Sequence, residues 1–295
     1  GTFDAEKTNI ILSDRLTRHE KAVIPGFYGS MPNGTIKTFS RGGSDITGAI
    51  VARAAGAAMY ENWTDVSGLL AADPRVVDDP KPIGVITYQE LRELSYMGAA
   101  VFHEDAIFPV RLAGIPINIR NTNAPEDKGT MIVPKADGSD SCGVITGIAG
   151  KKGFSVLQID KDQMNAQIGF GRRVLQVIEN EGISFEHLPS GIDTMCVVLS
   201  SDMSRAQREN IVLHINETCK PDSVSLEDGL ALIAVVGRGM ISAKGTSARL
   251  FKAIAEADIN IRMIDQGSSE LSIIIGISEE DFAKAMRAIY GEFMN

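Results

Sequence analysis

The segment RGGSD, residues 41–45, is the first place where residue types and spacing could do chemistry. Two glycines precede a predicted helix, and the free backbone N–H groups at a helix start favour anions. Arg41 adds a guanidinium that can hold a carboxylate through two hydrogen bonds. Ser44 and Asp45 could equally be ordinary helix caps. Taken alone, the segment indicates an anion-binding site and a simple cap with equal weight.

A second polar cluster is TDVSGLLAADPRVV, residues 64–77. Thr64 and Asp65 end a predicted strand, and Arg75 lies in the loop that follows. Open α/β sheets bind ligands at the carboxyl ends of their strands. A polar β-turn is the simpler interpretation and is favoured without further context. Neither GxxxxGK[ST] nor GxGxxG occurs, so the standard phosphate loops are absent from the sequence.

A third candidate is a carboxylate, Glu186, on a predicted strand of mostly apolar residues. It could hold the ammonium group of an amino acid, or it could face solvent in an alternating strand. His187 beside it is interpreted as a structural histidine. The other residues of this candidate ligand site flank a helix start or lie on the same strand: Met164, Gln167, Phe170, Gly171, Ser184 and Phe185.

The elements that must position these residues follow from an internal repeat of 76 residues. FSVLQID (154–160) matches LALIAVV (230–236), and GFGRRVLQVIENEG matches GTSARLFKAIAEAD, with Gly169 on Gly245. The match needs no gap over about sixty residues, a span that chance seldom supplies. Each copy reads as strand, helix, two strands and helix.

The repeat predicts two ferredoxin-like βαββαβ units. Residues 223–226 can supply the last strand of copy one, whereas copy two ends at its helix. The segment 144–149 is a spare strand that could complete copy two and interlock the units. Ser204 and Gln207 form a predicted capping box. Apolar stripes at helical spacing mark one helix in each copy: Phe170, Val174, Val177 and Ile178, then Phe282, Ala285, Met286 and Ile289.

The first half alternates strands and helices, which predicts an α/β domain with a mainly parallel sheet. VIPGFYGS reads as the end of a strand that runs into a Gly-rich turn, and IPINIRNT reads as a later strand. Thr87 with Glu90 forms a predicted capping box. The expected organisation is a partial α/β domain at 1–134, a linker at 135–143, and the two small units at 144–226 and 227–295.

Composition excludes several classes of protein. A net charge of −9 argues against a nucleic-acid partner. Three cysteines without a Cys/His cluster predict neither a disulfide framework nor a bound metal, and favour the cytoplasm. No apolar run is long enough for a membrane span, and no signal peptide is recognisable. The start, GTFDAEKTNI, lacks Met, which suggests that the chain begins inside a longer protein.

These motifs together resemble the aspartokinase family. IPGFYGS, RGGSDITG, NWTDVSGLLAADPRVV and ELSYMGAAVFHEDAI are similar to the second half of its amino-acid kinase domain, and the two repeats resemble its tandem ACT domains. The resemblance implies phosphoryl transfer from ATP, with Mg²⁺, to the β-carboxylate of L-aspartate. It implies that Arg41 and Ser44 bind aspartate, that Asp45 orients the acceptor, and that Thr64, Asp65 and Arg75 contact ATP.

The resemblance also implies feedback by an amino acid, lysine or alternatively threonine, at the seven residues around Glu186, and a homodimer formed through the ACT domains. Two positions depart from the family pattern: Ala100 replaces a common lysine, and Leu70 replaces a tyrosine found in some members. The family's opening lysine–glycine motif does not occur, so we expect no kinase activity from this chain alone. The rival interpretation is a regulatory amino-acid-binding module without catalysis.

Overall fold

The computed structural model describes residues 3–39, 42–99, 104–136 and 143–294. Arg41 and Ala100 lie outside the described residues. The chain forms two compact units. The first holds the described residues up to Ala149 together with Val236–Lys244 and Met294, and the second holds Gly150–Val235 and Gly245–Phe293.

The helices are α1 (Ala5–Leu16), α2 (Gly43–Ala54), α3 (Tyr88–Tyr96), α4 (Glu104–Ala113), α5 (Phe170–Asn180), α6 (Arg205–Cys219), α7 (Thr246–Glu256) and α8 (Phe282–Met294). The strands are β1 (Tyr28–Ser30), β2 (Ile36–Thr38), β3 (Tyr60–Thr64), β4 (Val85–Thr87), β5 (Ile117–Asn121), β6 (Thr130–Val133), β7 (Gly147–Asp160), β8 (Phe185–His187), β9 (Thr194–Ser200), β10 (Ser223–Val236), β11 (Met263–Asp265) and β12 (Ser272–Ser278).

The first unit is built on a four-stranded sheet with the order β3-β5-β6-β4. β3 pairs with β5 and β4 with β6 in parallel, whereas β5 and β6 are antiparallel. The predicted mainly parallel α/β sheet is therefore confirmed. Ile86 of β4 and Ile117 and Ile119 of β5 are fully buried, whereas β3 alternates between half-buried and exposed residues.

One strand prediction in this unit was wrong in position. VIPGFYGS was expected to end a strand in a Gly-rich turn, but its strand is the last part, Tyr28–Ser30, which pairs with β2 in a separate two-stranded sheet. The residues before it cannot continue a ladder, because Pro25 has no N–H to donate and Phe27 has a φ of 79°. The Thr87–Glu90 capping box, in contrast, is present at the start of α3.

The six strands β7 to β12 form a single sheet with the order β11-β12-β10-β7-β9-β8. β7 and β10 are 14 residues long and lie side by side at its centre. β10 joins the two segments that were predicted separately at 223–226 and 230–236. β7 likewise joins the end of the spare strand at 144–149 to the first strand of copy one. The interlocking of the two repeats therefore takes the form of shared strands.

Two pairs of glycines occupy equivalent positions in the two copies and adopt the same backbone conformation. Gly153 and Gly229 lie inside β7 and β10 with φ values of 91° and 80°, which glycine adopts without strain. Gly169 and Gly245 cap α5 and α7 in the same left-handed conformation. Both pairs are separated by the predicted 76 residues. The repeat is thus present in backbone conformation as well as in sequence.

The predicted helix faces are the buried ones. In copy one, Phe170, Val174, Val177 and Ile178 pack with residues of β7, β9 and α6 in one apolar cluster. In copy two, Phe282, Ala285, Met286 and Ile289 are buried. The Ser204–Gln207 capping box is also present, at the start of α6. Amphipathic spacing predicts the buried face of these helices because packing of one apolar stripe supplies most of a helix's stability.

Candidate functional site

Asp45 lies in the first turn of α2, and its carboxylate is held by a side chain from the neighbouring strand. Asn62 Nδ2 donates to Asp45 Oδ1 at 3.0 Å. Asn62 sits in the middle of β3, with Tyr60 and Thr64 on the same face of the strand. Ser44, one residue earlier, is exposed at the helix start. Within the described part of the predicted anion-binding segment, Asp45 is therefore held in place by a hydrogen bond from a side chain of β3.

The close approach of α2 to β3 depends on Gly48. A Cβ at that position would lie 2.5 Å from the Tyr60 hydroxyl oxygen, so any larger residue would displace the ring. Tyr60 OH donates to the backbone oxygen of Asp45 at 3.3 Å, and Asn62 Nδ2 donates to the phenol oxygen at 3.0 Å. Burial is the main cause that raises the pKa of Tyr60. The phenol therefore stays protonated and keeps its donor.

Thr64 and Asp65 occupy the carboxyl end of β3, as predicted. Thr64 Oγ1 donates to Asp65 Oδ1 at 3.2 Å, and the Thr64 carbonyl accepts from Thr122 N at 2.8 Å. Thr64 is opposite Asn121, the last residue of the parallel strand β5. Two parallel strands therefore end together here, which is where such sheets bind ligands. Asn62, which holds the Asp45 carboxylate, lies two residues before Thr64 on the same face of β3.

Arg75 lies farther along the loop, and its side chain is 85% exposed. Its guanidinium forms a fork on Asp73, with Nη2 2.7 Å from Oδ2. The hydrogen bond from Arg75 is the main cause that lowers the pKa of Asp73. The structure thus holds Arg75 by Asp73 rather than by Thr64 or Asp65, and the fork on Asp73 uses only Nε and Nη2 of its guanidinium.

The loop turns at Gly68, which has a φ of 103°. A Cβ there would lie 2.4 Å from Thr130 Oγ1, and that hydroxyl accepts from the next residue, Leu69 N, at 2.8 Å. Only glycine fits this turn. Leu70, the position where the family pattern differs, is partly exposed beyond it.

Four residues of the predicted effector site surround the start of α5. Met164 and Phe170 are buried in the same apolar cluster and face the core of copy one. Gln167 Oε1 accepts from Arg173 Nη2 at 3.3 Å, and its backbone oxygen accepts from Phe170 N at 3.1 Å. Gly171 is half-buried in the first turn of α5, where an added Cβ would contact Met195 Cε at 3.7 Å.

The other three residues, Ser184, Phe185 and Glu186, lie at or in β8, an edge strand of the sheet. The register shifts between Phe185, opposite Leu199, and His187, opposite Val198. Glu186 is therefore the extra residue of a β-bulge. Bulges at sheet edges re-aim side chains and are common beside functional sites. The predicted strand thus has an irregularity at its one carboxylate.

Two carboxylates missed by the sequence analysis hold the loop between β7 and α5. Asp193 Oδ1 accepts from Gln163 N at 2.9 Å, and Asp222 Oδ2 accepts from Asp162 N at 2.6 Å. Gln163 has a φ of 55°, which these contacts maintain. The 30- and 60-residue separations explain why no local pattern revealed them.

His187 also has a long-range partner. Its Nδ1 lies 2.7 Å from Oδ2 of Asp265, a residue of β11. β8 and β11 stand at opposite ends of the strand order, so this contact joins the two edge strands of one sheet. The histidine predicted to be structural thus links copy one to copy two, directly beside Glu186.

Two general features complete the description. Across the described ranges, no group of three or more His, Cys, Asp or Glu side chains is arranged to hold a metal ion. Within the same ranges, no helix combines the length and apolar character needed to cross a bilayer.

The fold and the position of these residues define a class of protein. Residues 9–121 match the family model described as the amino acid kinase family, and residues 233–293 match an ACT domain model. The chain thus combines the α/β sheet of the amino acid kinase family with ferredoxin-like units, the second of which matches the ACT domain model.

Individual relatives narrow the class. Aspartokinase 3 of Bacillus subtilis (strain 168) is 47% identical over 272 residues, covering 92% of this chain and 60% of the relative. The aspartate kinase of Clostridium acetobutylicum is 50% identical, with a TM-score of 0.92 over 99% of this chain and 67% of that one. E. coli aspartokinase III, solved with aspartate and ADP, gives 27% identity and a TM-score of 0.77 over 98% of this chain and 64% of that one. The chain belongs to the aspartokinase family, and it spans about three fifths of its Bacillus relative.

Proposed function

We propose that this chain carries the acceptor side and part of the nucleotide side of an aspartate kinase, which transfers the γ-phosphoryl group of ATP to the β-carboxylate of L-aspartate. The observation that carries the proposal is that Asn62, which donates to the Asp45 carboxylate, lies on the same face of β3 as Thr64 at the carboxyl end of the strand. It supports a site in which the predicted acceptor residue Asp45 lies near two of the predicted ATP residues, Thr64 and Asp65. Phosphoryl transfer relies on such positioning and on charge rather than on covalent chemistry.

The same edge suits Mg²⁺ bound to a nucleotide. That ion takes most of its ligands from phosphate oxygens and water, and needs only one or two carboxylates from the protein. Asp65 fits the requirement, because it is exposed at the strand end and only its Oδ1 accepts from Thr64. When bound, the ion would neutralise the charge of the phosphates. Arg41, Ser44, Thr64 and Arg75 remain our proposed contacts to substrate and nucleotide.

The proposed regulation is feedback by an amino acid at copy one, with lysine as the first choice and threonine as the alternative. E. coli aspartokinase III has been solved in complex with lysine and aspartate, at 26% identity and a TM-score of 0.75. In this chain, the irregularity at Glu186 supports the proposal because bulges in edge strands re-aim side chains and are common beside functional sites. A homodimer formed through the ACT units is part of the proposal.

A hydroxamate assay on the full-length protein that carries this chain tests the activity. We expect product that depends on both aspartate and ATP, and a raised KM for aspartate after Arg41→Ala. An unchanged KM would remove Arg41 from the site, and absence of aspartate-dependent product would overturn the proposed reaction.

The second candidate is a regulatory amino-acid-binding module without catalysis. It is favoured by the two interlocked ferredoxin-like copies, which make up about half of the chain. Calorimetry of this chain with lysine, and separately with threonine, distinguishes the two functions when combined with the assay. Heat of binding without aspartate-dependent product from the full-length protein would support the module.

A further inference from the structure

Asn62 is held in a closed set of three hydrogen bonds. Its Nδ2 donates one hydrogen to Asp45 Oδ1 and the other to the Tyr60 phenol oxygen, both at 3.0 Å. The phenol hydrogen in turn goes to the Asp45 backbone oxygen at 3.3 Å. Both amide hydrogens are used, so the side chain has one orientation that satisfies its donors. The Asp45 carboxylate is thereby fixed through one of its two oxygens.

The donor is chemically matched to an ionised carboxylate. A neutral N–H that donates to a carboxylate stabilises its charged form without cancelling the charge, as a nearby cation would. Asp45 therefore presents its carboxylate in one defined orientation. The acceptor amino acid carries a cationic ammonium group, which an anion in a fixed place attracts. A flexible Asp45 would lose this effect, because substrate positioning fails with displacements of about 1 Å.

We propose that Asn62 is a positioning residue for the acceptor amino acid and acts by fixing the orientation of the Asp45 carboxylate. The inference rests on the proposed function, since it assigns Asn62 a role in that same site. The sequence analysis did not identify Asn62, because it lies in the middle of a strand and in no motif. Asparagine is depleted in strands, and this one is only half-buried, so strand stability alone does not account for it.

The first test replaces the amide by an apolar side chain of similar size. In the full-length protein, Asn62→Leu should raise the KM for aspartate roughly tenfold or more, as expected for the loss of a hydrogen bond to a charged group. The KM for ATP should change less than about twofold, because Thr64 and Asp65 keep their own contacts. The matched control is Asn118→Leu, which removes a buried amide from β5 in the same sheet. The control should leave both KM values unchanged.

The second test has a readout that a structural role would not move. Asn62→Asp places a second carboxylate beside Asp45, and two such groups at about 3 Å share a proton because both cannot ionise easily. The shared proton restores an O–H···O hydrogen bond in place of the amide bond. The ratio of variant to wild-type KM for aspartate should therefore fall severalfold as the pH is lowered from 8 to 6.

The possible results distinguish a failure of the proposed kinase function from a failure of the proposed role of Asn62. If the wild type makes no aspartate-dependent product, the proposed function fails. If the wild type is active and Asn62→Leu folds with an unchanged KM for aspartate, the positioning role is wrong. Should Asn62→Leu fail to fold, Asn62→Asp decides alone, and a pH-independent KM ratio would overturn the role.

Discussion

Arg238 and Glu90 form a buried ion pair in the first unit, with Nη1 2.8 Å from Oε2. Glu90 is 0% exposed, and its carboxylate also accepts from Thr146 Oγ1 at 2.6 Å and from the backbone N–H of Arg238 at 3.0 Å. The start of α3, the residue before β7 and the turn after β10 thus meet at one carboxylate.

Removal of the cation should destabilise this unit strongly. Arg238→Met leaves a buried carboxylate without its charge partner, and we expect a loss of about 3 kcal/mol or more in the free energy of unfolding. Urea denaturation of this chain measures it. The control is Arg205→Met, which breaks an exposed pair with Glu209 and should change little. The double variant Arg238→Met with Glu90→Gln should lose less free energy of unfolding than the two single variants lose together. Strict additivity would contradict the pairing.

The same carboxylate predicts a pH dependence. Burial alone would raise the pKa of Glu90, but hydrogen bonds from Thr146, Arg238 and Thr87 outweigh burial and lower it from 4.5. A lowered folded-state pKa means that the stabilisation is present above the unfolded value and is lost as the pH falls through the folded value. The wild type's advantage over Glu90→Gln in urea should therefore shrink from pH 7 to pH 3. An advantage that grows at low pH would show that burial dominates.

The paired helix caps predict matched effects of substitution. Gly169→Ala and Gly245→Ala each force a side chain into the left-handed region with open space around it, at a cost of roughly 1 kcal/mol. Gly237→Ala should cost clearly more, because its Cβ would lie 2.4 Å from Ile145 Cα. Thermal melting of the three variants checks the order. An equal loss at all three positions would mean that the backbone near Ile145 yields easily.

The bulged carboxylate should contribute to the affinity for the effector. We expect Glu186→Gln to weaken lysine binding about tenfold, since a carboxylate bond to an ammonium group is charge-assisted. Calorimetry on this chain measures the dissociation constant. Glu179→Gln is the matched control, because Glu179 is exposed on α5 and accepts from Gln176. Equal affinities in wild type and both variants would remove Glu186 from the site.

Local sequence patterns were enough to predict much of the fold. The Thr87–Glu90 and Ser204–Gln207 boxes span three residues, and the stripe from Phe170 to Ile178 spans two helical turns. Such patterns are predictable because every partner lies within the same element. The 76-residue repeat extended this to two copies of one fold. It did not show that Ser223–Val236 is one strand, because Gly229 reads as a break in sequence.

The sequence by itself determined the kinase-type α/β half, the two ferredoxin-like copies and the candidates Asp45, Thr64 and Glu186. The tertiary structure alone decided which side chains far apart in sequence are in contact. Asn62 reaches Asp45 from 17 residues away, His187 reaches Asp265 from 78, and Arg238 reaches Glu90 from 148. A side chain on one strand selects its partner by sheet order and register, and these depend on packing of the whole unit rather than on neighbouring residues.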